Sequence, residues 1–167
     1  MTEENNVAAA DMPQQDGGQF ALQRIYLKDL SFETPMGPVA FHTEIKPQVG
    51  QELSTEVNKL DEDHFEVVLT VTITVKHGDE TVYLIEAHQA GIFLVKGLEN
   101  RQMAQAINVL CPATLYPFVR EVVDNVVIKG SFPALMLPPV NFEVLFAQAL
   151  AKAKKDQEAA AASEVTH

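Results

Sequence analysis

The sequence is poor in the residues that disulfide frameworks, metal sites and nucleotide-binding loops require. It contains one cysteine, Cys111, which excludes an internal disulfide and a zinc site built from several cysteines. The glycines form neither a dinucleotide-binding nor a P-loop pattern. The histidines are scattered without HxH or HxxxH spacing: His42, His64, His77, His88 and His167. We therefore expect no bound metal and no cofactor.

Basic residues and long apolar runs are also scarce. The 167-residue chain has 12 lysines and arginines against 23 aspartates and glutamates, for a formal net charge of -11. This charge repels phosphate, so it opposes binding to nucleic acid or anionic lipid and favours basic partners. No run approaches the roughly 20 apolar residues of a membrane-spanning helix. The acidic N-terminus does not resemble a secretory signal, and we expect a cytoplasmic protein without membrane insertion.

The chain is expected to hold one domain between two polar ends. Its apolar content of 47% is sufficient for a core. Residues 1–18 contain almost nothing to bury and are predicted to form a disordered tail. Residues 152–167, rich in alanine, lysine and glutamate, are predicted to be frayed or disordered. The structured domain is therefore predicted to span residues 19–151.

Alternating apolar and polar residues indicate a sheet in the first half of the chain. Residues 64–76 alternate regularly, which predicts a long strand with one buried face. A short glycine-containing connection leads to a second β-rich run, residues 80–95, and indicates an antiparallel hairpin. Residues 20–33 form a predicted first strand and residues 49–60 a weaker second one. Residues 34–47, which include three prolines, are predicted to be an extended loop.

The second half has helical spacing. Residues 102–110 predict one helix, and Pro112 is suited to be the first residue of the next, which should end at Gly130. Asn141 can cap a final helix. The apolar stripe of that helix consists of Phe142, Leu145, Phe146, Ala149 and Leu150. The predicted fold class is α+β, with a four-stranded antiparallel sheet followed by helices.

Reactive groups do not converge in the way that catalysis requires. Acid, base or nucleophilic chemistry needs several such groups in one pocket, whereas the ionisable residues here are dispersed among strands and loops. Cys111 precedes a proline in an apolar segment, where a packed thiol is the expected role. We predict that the protein is not an enzyme. The alternative, a small-molecule binding or catalytic α+β domain, would be indicated by a metabolite retained through purification.

Five local sequences, in the same order and at similar spacing, resemble the SecB family of protein-export chaperones. They are QRIYLKDLSFE at 23–33, FEVVLTVTITV, ETVYLIEAHQAGIF, CPATLYPFVRE and FPALMLPPVNFEVLF at 132–146. The match covers roughly residues 20–150. The resemblance implies a four-stranded sheet with helices packed on one face, assembled as a dimer of dimers, that is, a homotetramer.

The same resemblance implies a function without ATP. Family members bind unfolded precursor proteins, keep them competent for translocation and deliver them to SecA. The basic, zinc-bearing C-terminal tail of SecA docks on an acidic sheet surface of the chaperone. A second possibility within this fold is a SecB-like chaperone dedicated to one partner, such as an antitoxin, which a pull-down dominated by one protein would indicate.

The resemblance also implies roles for residues on the strands. The positions that match the SecA contact are Asp29, Glu33, Leu84 and Glu86. The positions that match the packing between dimers are Ile85, Ala87 and Gln89. Strand alternation fits this division, because it places Val82, Leu84, Glu86 and His88 on one face and Tyr83, Ile85, Ala87 and Gln89 on the other. Without the resemblance, Asp29 and Glu33 would be interpreted as ordinary solvated charges.

The proline-rich loop is the predicted place for clients. An unfolded segment offers backbone groups and apolar side chains, so its receptor needs an adaptable apolar groove. Our candidates are Phe32, Pro38, Phe41 and Ile45, with residues 136–139 opposite. Many family members have a tryptophan at the position of Ile45, and this sequence has none. The alternative is that the loop only packs onto its own sheet.

Overall fold

A computed structural model of the chain describes residues 18–164, with side chains described up to Glu158. The strands are β1 (Gln19–Glu33), β2 (Gln48–Lys59), β3 (His64–His77) and β4 (Glu80–Lys96). They form one antiparallel sheet in the order β1-β4-β3-β2, so β1 and β2 are its edges. Apart from Gly18, the predicted N-terminal tail lies outside the described residues.

The strand predictions are confirmed, and the loop prediction needs a correction. Strands β3 and β4 form the predicted hairpin. The segment between β1 and β2 is not extended throughout, because Gly37–Phe41 forms a short 3-10 helix. Pro38 occupies its first turn, where a missing N–H costs little, and Ala40 is buried. This turn folds the loop back onto the sheet.

The predicted break between the first two helices is wrong. Helix α1 (Asn100–Gln105) continues through a π-helical segment, Ala106–Leu110, into α2 (Cys111–Lys129). The Cys111 N–H donates to the carbonyl of Ala106, five residues earlier. Because this turn is wider than an α-helical turn, we infer that it accommodates Pro112, which cannot donate to the carbonyl four residues before it.

Helix α2 ends at Gly130, as predicted. The Phe132 N–H donates to the Val127 carbonyl at 3.1 Å, and Ser131 takes a left-handed conformation with φ of 65°. These are the features of a Schellman closure. A Cβ atom on Gly130 would lie 2.4 Å from the Phe32 ring, so the glycine allows β1 to approach the end of the helix.

Helix α3 (Phe142–Glu164) begins at its predicted cap, because the Asn141 side chain accepts a hydrogen bond from the Val144 N–H at 3.1 Å. The helix continues past residue 151, where we placed the end of the domain. Alanine, lysine and glutamate are strong helix formers, which explains the extension. Residues 165–167 lie outside the described part, and fraying of the last turns stays a prediction.

The helices pack on one face of the sheet, as predicted. Helix α2 presents buried residues at every fourth position, namely Cys111, Leu115, Val119, Val123 and Val127. They pack with the inward-facing residues of β3 and β4, among them Leu69, Ile73 and Phe93, in one hydrophobic core. Gly91 permits close contact, since a Cβ atom there would lie 2.9 Å from Leu115 Cδ2. Within residues 18–164, no helix combines the length and apolar character needed to cross a membrane.

Candidate functional site

The side of the sheet away from α2 carries many carboxylates, and we call it the acidic sheet face. Its acidic members are Asp29, Glu33, Glu52, Glu56, Glu66 and Glu86. Residues paired directly across antiparallel strands lie on the same face. The pairs that align β1 with β4 are Glu33 with Leu84, Ser31 with Glu86 and Asp29 with His88. Glu52 of β2 joins the row of Glu86 through Thr72.

The residues that the resemblance assigns to the partner contact are brought together on this face. Asp29 and Glu33 lie on β1, Leu84 and Glu86 lie on the adjacent strand β4, and Asp29, Glu33 and Glu86 are exposed. The alternation predicted for β4 holds from Leu84 to His88. It fails at Val82, which is 1% exposed and belongs to the core. The register between β3 and β4 shifts at this point and leaves Val82 without a paired residue.

The side chain of Glu86 forms a hydrogen bond with that of His88. Its Oε1 atom lies 2.8 Å from Nε2 of His88 on the same strand. The other ring nitrogen of His88, Nδ1, lies 3.1 Å from the hydroxyl of Thr70 on β3. The Glu86 side chain is still 49% exposed, so it keeps acceptor capacity for an incoming cation.

A second carboxylate on the same face, Glu66, is almost fully buried at 8% exposure. It accepts hydrogen bonds from the Tyr26 hydroxyl, from Lys28 Nζ at 2.9 and 3.0 Å, and from Asn58 Nδ2 at 3.0 Å. We call these four residues the Glu66 cluster. Tyr26 is paired on β4 with Ala90, whose small side chain leaves room for the ring to reach across to β3.

These hydrogen bonds set the protonation of the Glu66 cluster. The Tyr26 hydroxyl, followed by Lys28 and Asn58, lowers the pKa of Glu66 from 4.5 to about 2. The same bonds to Glu66 raise the pKa of Tyr26 and of Lys28. Glu66 is therefore ionised and occupied, whereas Glu86 is open. This cluster was not predicted from the sequence, where its only local signal is a glutamate in the polar register of β3.

The residues assigned to the packing between dimers lie elsewhere. Ile85, Ala87 and Gln89 are 0%, 0% and 3% exposed within the single chain, on the face that α2 covers. A second copy cannot touch their side chains in this arrangement. Ile85 and Ala87 belong to the hydrophobic core beneath α2. Their role in assembly stays a prediction.

The predicted client residues divide into packed and exposed members. Phe41 stacks on Phe132 at 5.2 Å between ring centroids, and Phe132 contacts Tyr83 at 4.7 Å. Phe32 contacts Tyr83 at 6.0 Å, and we call these four rings the aromatic cluster. Phe41 is nevertheless 55% exposed. Ile45 packs against the core, which fits the alternative that part of the loop only covers its own sheet.

The stretch proposed to lie opposite the loop begins with the exposed side chain of Met136. This residue is 70% exposed and has a φ of 50°. One oxygen of Asp124 accepts hydrogen bonds from the backbone N–H groups of Leu135 and Met136, each at 3.0 Å. Helix α2 thereby fixes the turn that presents Met136. Pro38 of the loop is also exposed.

A separate groove lies between β2 and α3. It has a volume of about 280 Å³ and is lined mainly by apolar side chains, including Leu53, Phe142, Leu145 and Phe146. Helical spacing predicted one apolar stripe with Phe142, Leu145 and Phe146 but did not predict the groove. Such a surface suits apolar side chains rather than charged ligands.

The described residues do not assemble a metal or nucleophile site. Within this part of the chain, no group of three or more histidine, cysteine, aspartate or glutamate side chains could hold a metal ion. Cys111 is buried, and burial raises the pKa of its thiol to about 12. A thiol with that pKa is not a thiolate nucleophile at neutral pH.

Comparisons with known proteins give one consistent family. The model of the family described as preprotein translocase subunit SecB matches residues 13–153. The protein-export protein SecB of Marinobacter nauticus is 46% identical over 162 residues, which cover 97% of this chain and 98% of that protein. The corresponding protein of Hahella chejuensis is 52% identical over 148 residues, covering 89% and 92%.

A solved structure supports the fold. The SecB-like chaperone Rv1957 of Mycobacterium tuberculosis, in complex with a peptide from the HigA1 antitoxin, matches with a TM-score of 0.60 and 18% identity. The match covers 75% of this chain and 91% of that one.

Proposed function

The chain belongs to the SecB family of protein-export chaperones, which are not enzymes, and we propose that it passes unfolded precursor proteins to SecA through the acidic sheet face. In this proposal it acts in the cytoplasm without ATP and keeps its clients competent for translocation. The observation that carries it is the placement of Asp29, Glu33, Leu84 and Glu86 on one open face of two adjacent strands.

Charge supports this face as the SecA contact. The C-terminal tail of SecA is expected to be basic, and the net charge of -11 per chain draws such a partner on encounter. Glu86 is half exposed and keeps free acceptor capacity. Leu84 adds an apolar contact beside it. The zinc belongs to the tail of SecA, so the chaperone needs no metal ligands of its own.

Clients are proposed to bind along the proline-rich loop. Phe41 offers the exposed side of an aromatic cluster, and Pro38 and Met136 add exposed apolar surface. Methionine and aromatic side chains adapt to varied apolar sequences. Phe32 and Ile45 are partly buried and pack against the core beneath this region. Holding and delivery would then use separate surfaces, which allows each to be tested alone.

The active assembly is proposed to be a homotetramer arranged as a dimer of dimers. Apolar side chains on the outer side of α2 support an interface there, since Phe118 is 44% and Ile128 is 57% exposed. Such exposure in a monomer is consistent with cover by further copies. Four copies would also multiply the charge that attracts a basic partner.

The delivery surface is tested by titration with the zinc-loaded C-terminal tail of SecA. Asp29→Asn with Glu86→Gln should weaken binding about tenfold, because each exposed charge pair contributes up to about 1 kcal/mol. The matched control is Glu52→Gln with Glu56→Gln, which removes the same charge from β2 on the same face and should weaken binding at most threefold. Equal losses in the two variants would mean that only overall charge matters.

The holding surface is tested by suppression of aggregation of a diluted, denatured precursor without ATP. Phe41→Ala with Met136→Ala should reduce suppression, and the Asp29 and Glu86 variant should not. An absolute requirement for ATP would contradict the chaperone proposal. Loss of SecA binding in the Phe41 and Met136 variant would contradict the separation of the surfaces.

A further inference from the structure

We propose that His88 is a positioning residue of the acidic sheet face. The neutral imidazole of His88 orients Glu86 for a basic partner, and the protonated imidazole weakens docking of that partner. This inference rests on the proposed docking of SecA at that face. Sequence alternation placed His88 beside Glu86 but assigned it no role. The geometry supplies the role, because His88 is the one residue that links Glu86 to a neighbouring strand in the described hydrogen bonds.

The two ring nitrogens of His88 have different partners. Nε2 lies 2.8 Å from Glu86 Oε1, and a carboxylate can only accept there. A neutral ring therefore carries its proton on Nε2, and Nδ1 accepts from the Thr70 hydroxyl at 3.1 Å. This chain of hydrogen bonds fixes the imidazole and holds one oxygen of Glu86, whose side chain is still 49% exposed.

The charged residues in the rows around His88 are carboxylates on β1, β4 and β2, and its neighbours on β3 are threonines. On β1, Asp29 is its paired residue and Glu33 lies two rows away. On β3 its neighbours are Thr70 and Thr72, and on β2 the same rows continue to Ser54 and Glu52. Lys28, which precedes Asp29 on β1, is bound to Glu66. Helix α2 lies on the opposite face and does not contact this side of β4.

Protonation of His88 makes this surface less negative. Histidine ordinarily changes its charge between pH 5 and 8. The added proton lies on Nδ1, where the Thr70 hydroxyl can accept it, so the hydrogen bonds persist while a positive charge appears between Asp29 and Glu86. The imidazolium then competes with lysine or arginine of the partner for both carboxylates. Docking should be strong at pH 8 and weaker at pH 5.5.

The test is titration of the full-length protein with the zinc-loaded C-terminal tail of SecA at pH 8.0, 7.0, 6.25 and 5.5, at fixed ionic strength. His88→Gln removes the titrating group and keeps a polar side chain of similar length. Between pH 8.0 and 5.5, wild type should lose about fivefold more affinity than this variant, as one charge a few ångströms away in water implies. Both proteins bind the same peptide, so any change in the charge of the peptide with pH affects both affinities equally. It therefore cancels in the comparison of wild type with the variant.

Two further variants show whether the effect belongs to this position. His64→Gln makes the same chemical change at the other end of the sheet, where His64 contacts Asp61, and should keep the pH profile of wild type. His88→Gln in a Glu86→Gln background should change the profile less than His88→Gln alone, because His88 acts through Glu86.

Two outcomes would overturn the inference, and they are distinguishable. Parallel pH profiles for wild type and His88→Gln would remove the role of His88 and leave the docking surface intact. No binding of the tail by wild type at pH 8.0 would remove the docking surface and the role of His88 with it.

Discussion

The same strands form both faces of the sheet, but α2 covers one face and leaves the other open to water. On the covered face, β3 and β4 pack with α2, and Leu69, Ile73 and Ile85 have no exposed surface. On the acidic sheet face, threonines and carboxylates alternate with them and most remain in contact with water. The covered face therefore fixes the fold, and the open face is free to carry charge. Glu66 is the exception among the carboxylates, since it lies on the open face and is buried.

The largest effect should appear at Leu115 of α2, which is fully buried against the covered face of the sheet. Leu115→Ala should lower the free energy of unfolding by about 3 kcal/mol, through lost burial and a cavity beside Gly91. Leu150→Ala, at a position that is 56% exposed, should lower it by less than 1 kcal/mol. Denaturant unfolding at fixed protein concentration measures both. Similar losses would mean that packing of α2 against the covered face contributes no more to stability than an exposed leucine does.

Glu66→Gln should have the next largest effect and the largest among single changes on the acidic sheet face. It removes the charge that Lys28 faces and leaves one donor of the cluster opposite another donor, at a cost of about 2 kcal/mol. Glu86→Gln makes the same chemical change on the same face and should alter stability by less than about 0.5 kcal/mol. Denaturant unfolding of the two variants separates a structural carboxylate from a free one.

Acid should remove the contribution of Glu66. Its pKa is about 2 in the folded chain against an ordinary 4.5, so its stabilisation is complete above pH 4.5 and is lost as pH falls toward 2. The stability difference between wild type and Glu66→Gln should therefore shrink as pH falls from 6 to 3. A difference that stays constant over this range would show that the bonds of Glu66 do not depend on its charge.

The smallest expected effect is at Thr72, a half-buried residue of the acidic sheet face. Thr72→Val should change stability by less than about 0.5 kcal/mol, because the open face needs no hydroxyl at this position for folding. The preceding residue, Val71, points to the covered face and is fully buried. Val71→Thr should cost about 2 kcal/mol, because it buries a hydroxyl. Equal effects would mean that the faces are not distinct.

Local periodicity predicted much of the fold because strands and caps are local features. The alternation in β3 gave its two faces, and Asn141 and Gly130 gave helix ends that the structure confirms. The helix break at Pro112 was wrong because a π-helical turn accommodates the proline, and such a turn has no reliable sequence signature. The bulge that buries Val82 depends on the register of two strands.

The sequence likewise predicted only part of the candidate site. The face of Leu84 and Glu86 follows from alternation, but their alignment with Asp29 and Glu33 depends on the pairing of β1 with β4. The Glu66 cluster depends on it too, since Tyr26 and Lys28 of β1 reach Glu66 of β3 across β4. Periodicity within a strand carries no information on which distant strand it will pair with.

The pairing of β1 with β4 also constrains how the chain folds during synthesis. Strands β2, β3 and β4 follow one another and can pair as soon as each leaves the ribosome. Strand β1 emerges first but has no partner until β4 follows, whose Leu84 pairs with Glu33 at the end of β1. Closing that long loop costs entropy and delays the pairing. We therefore expect the first strand of this chaperone to be the last to join the sheet, and until then its backbone is as unpaired as that of an unfolded precursor.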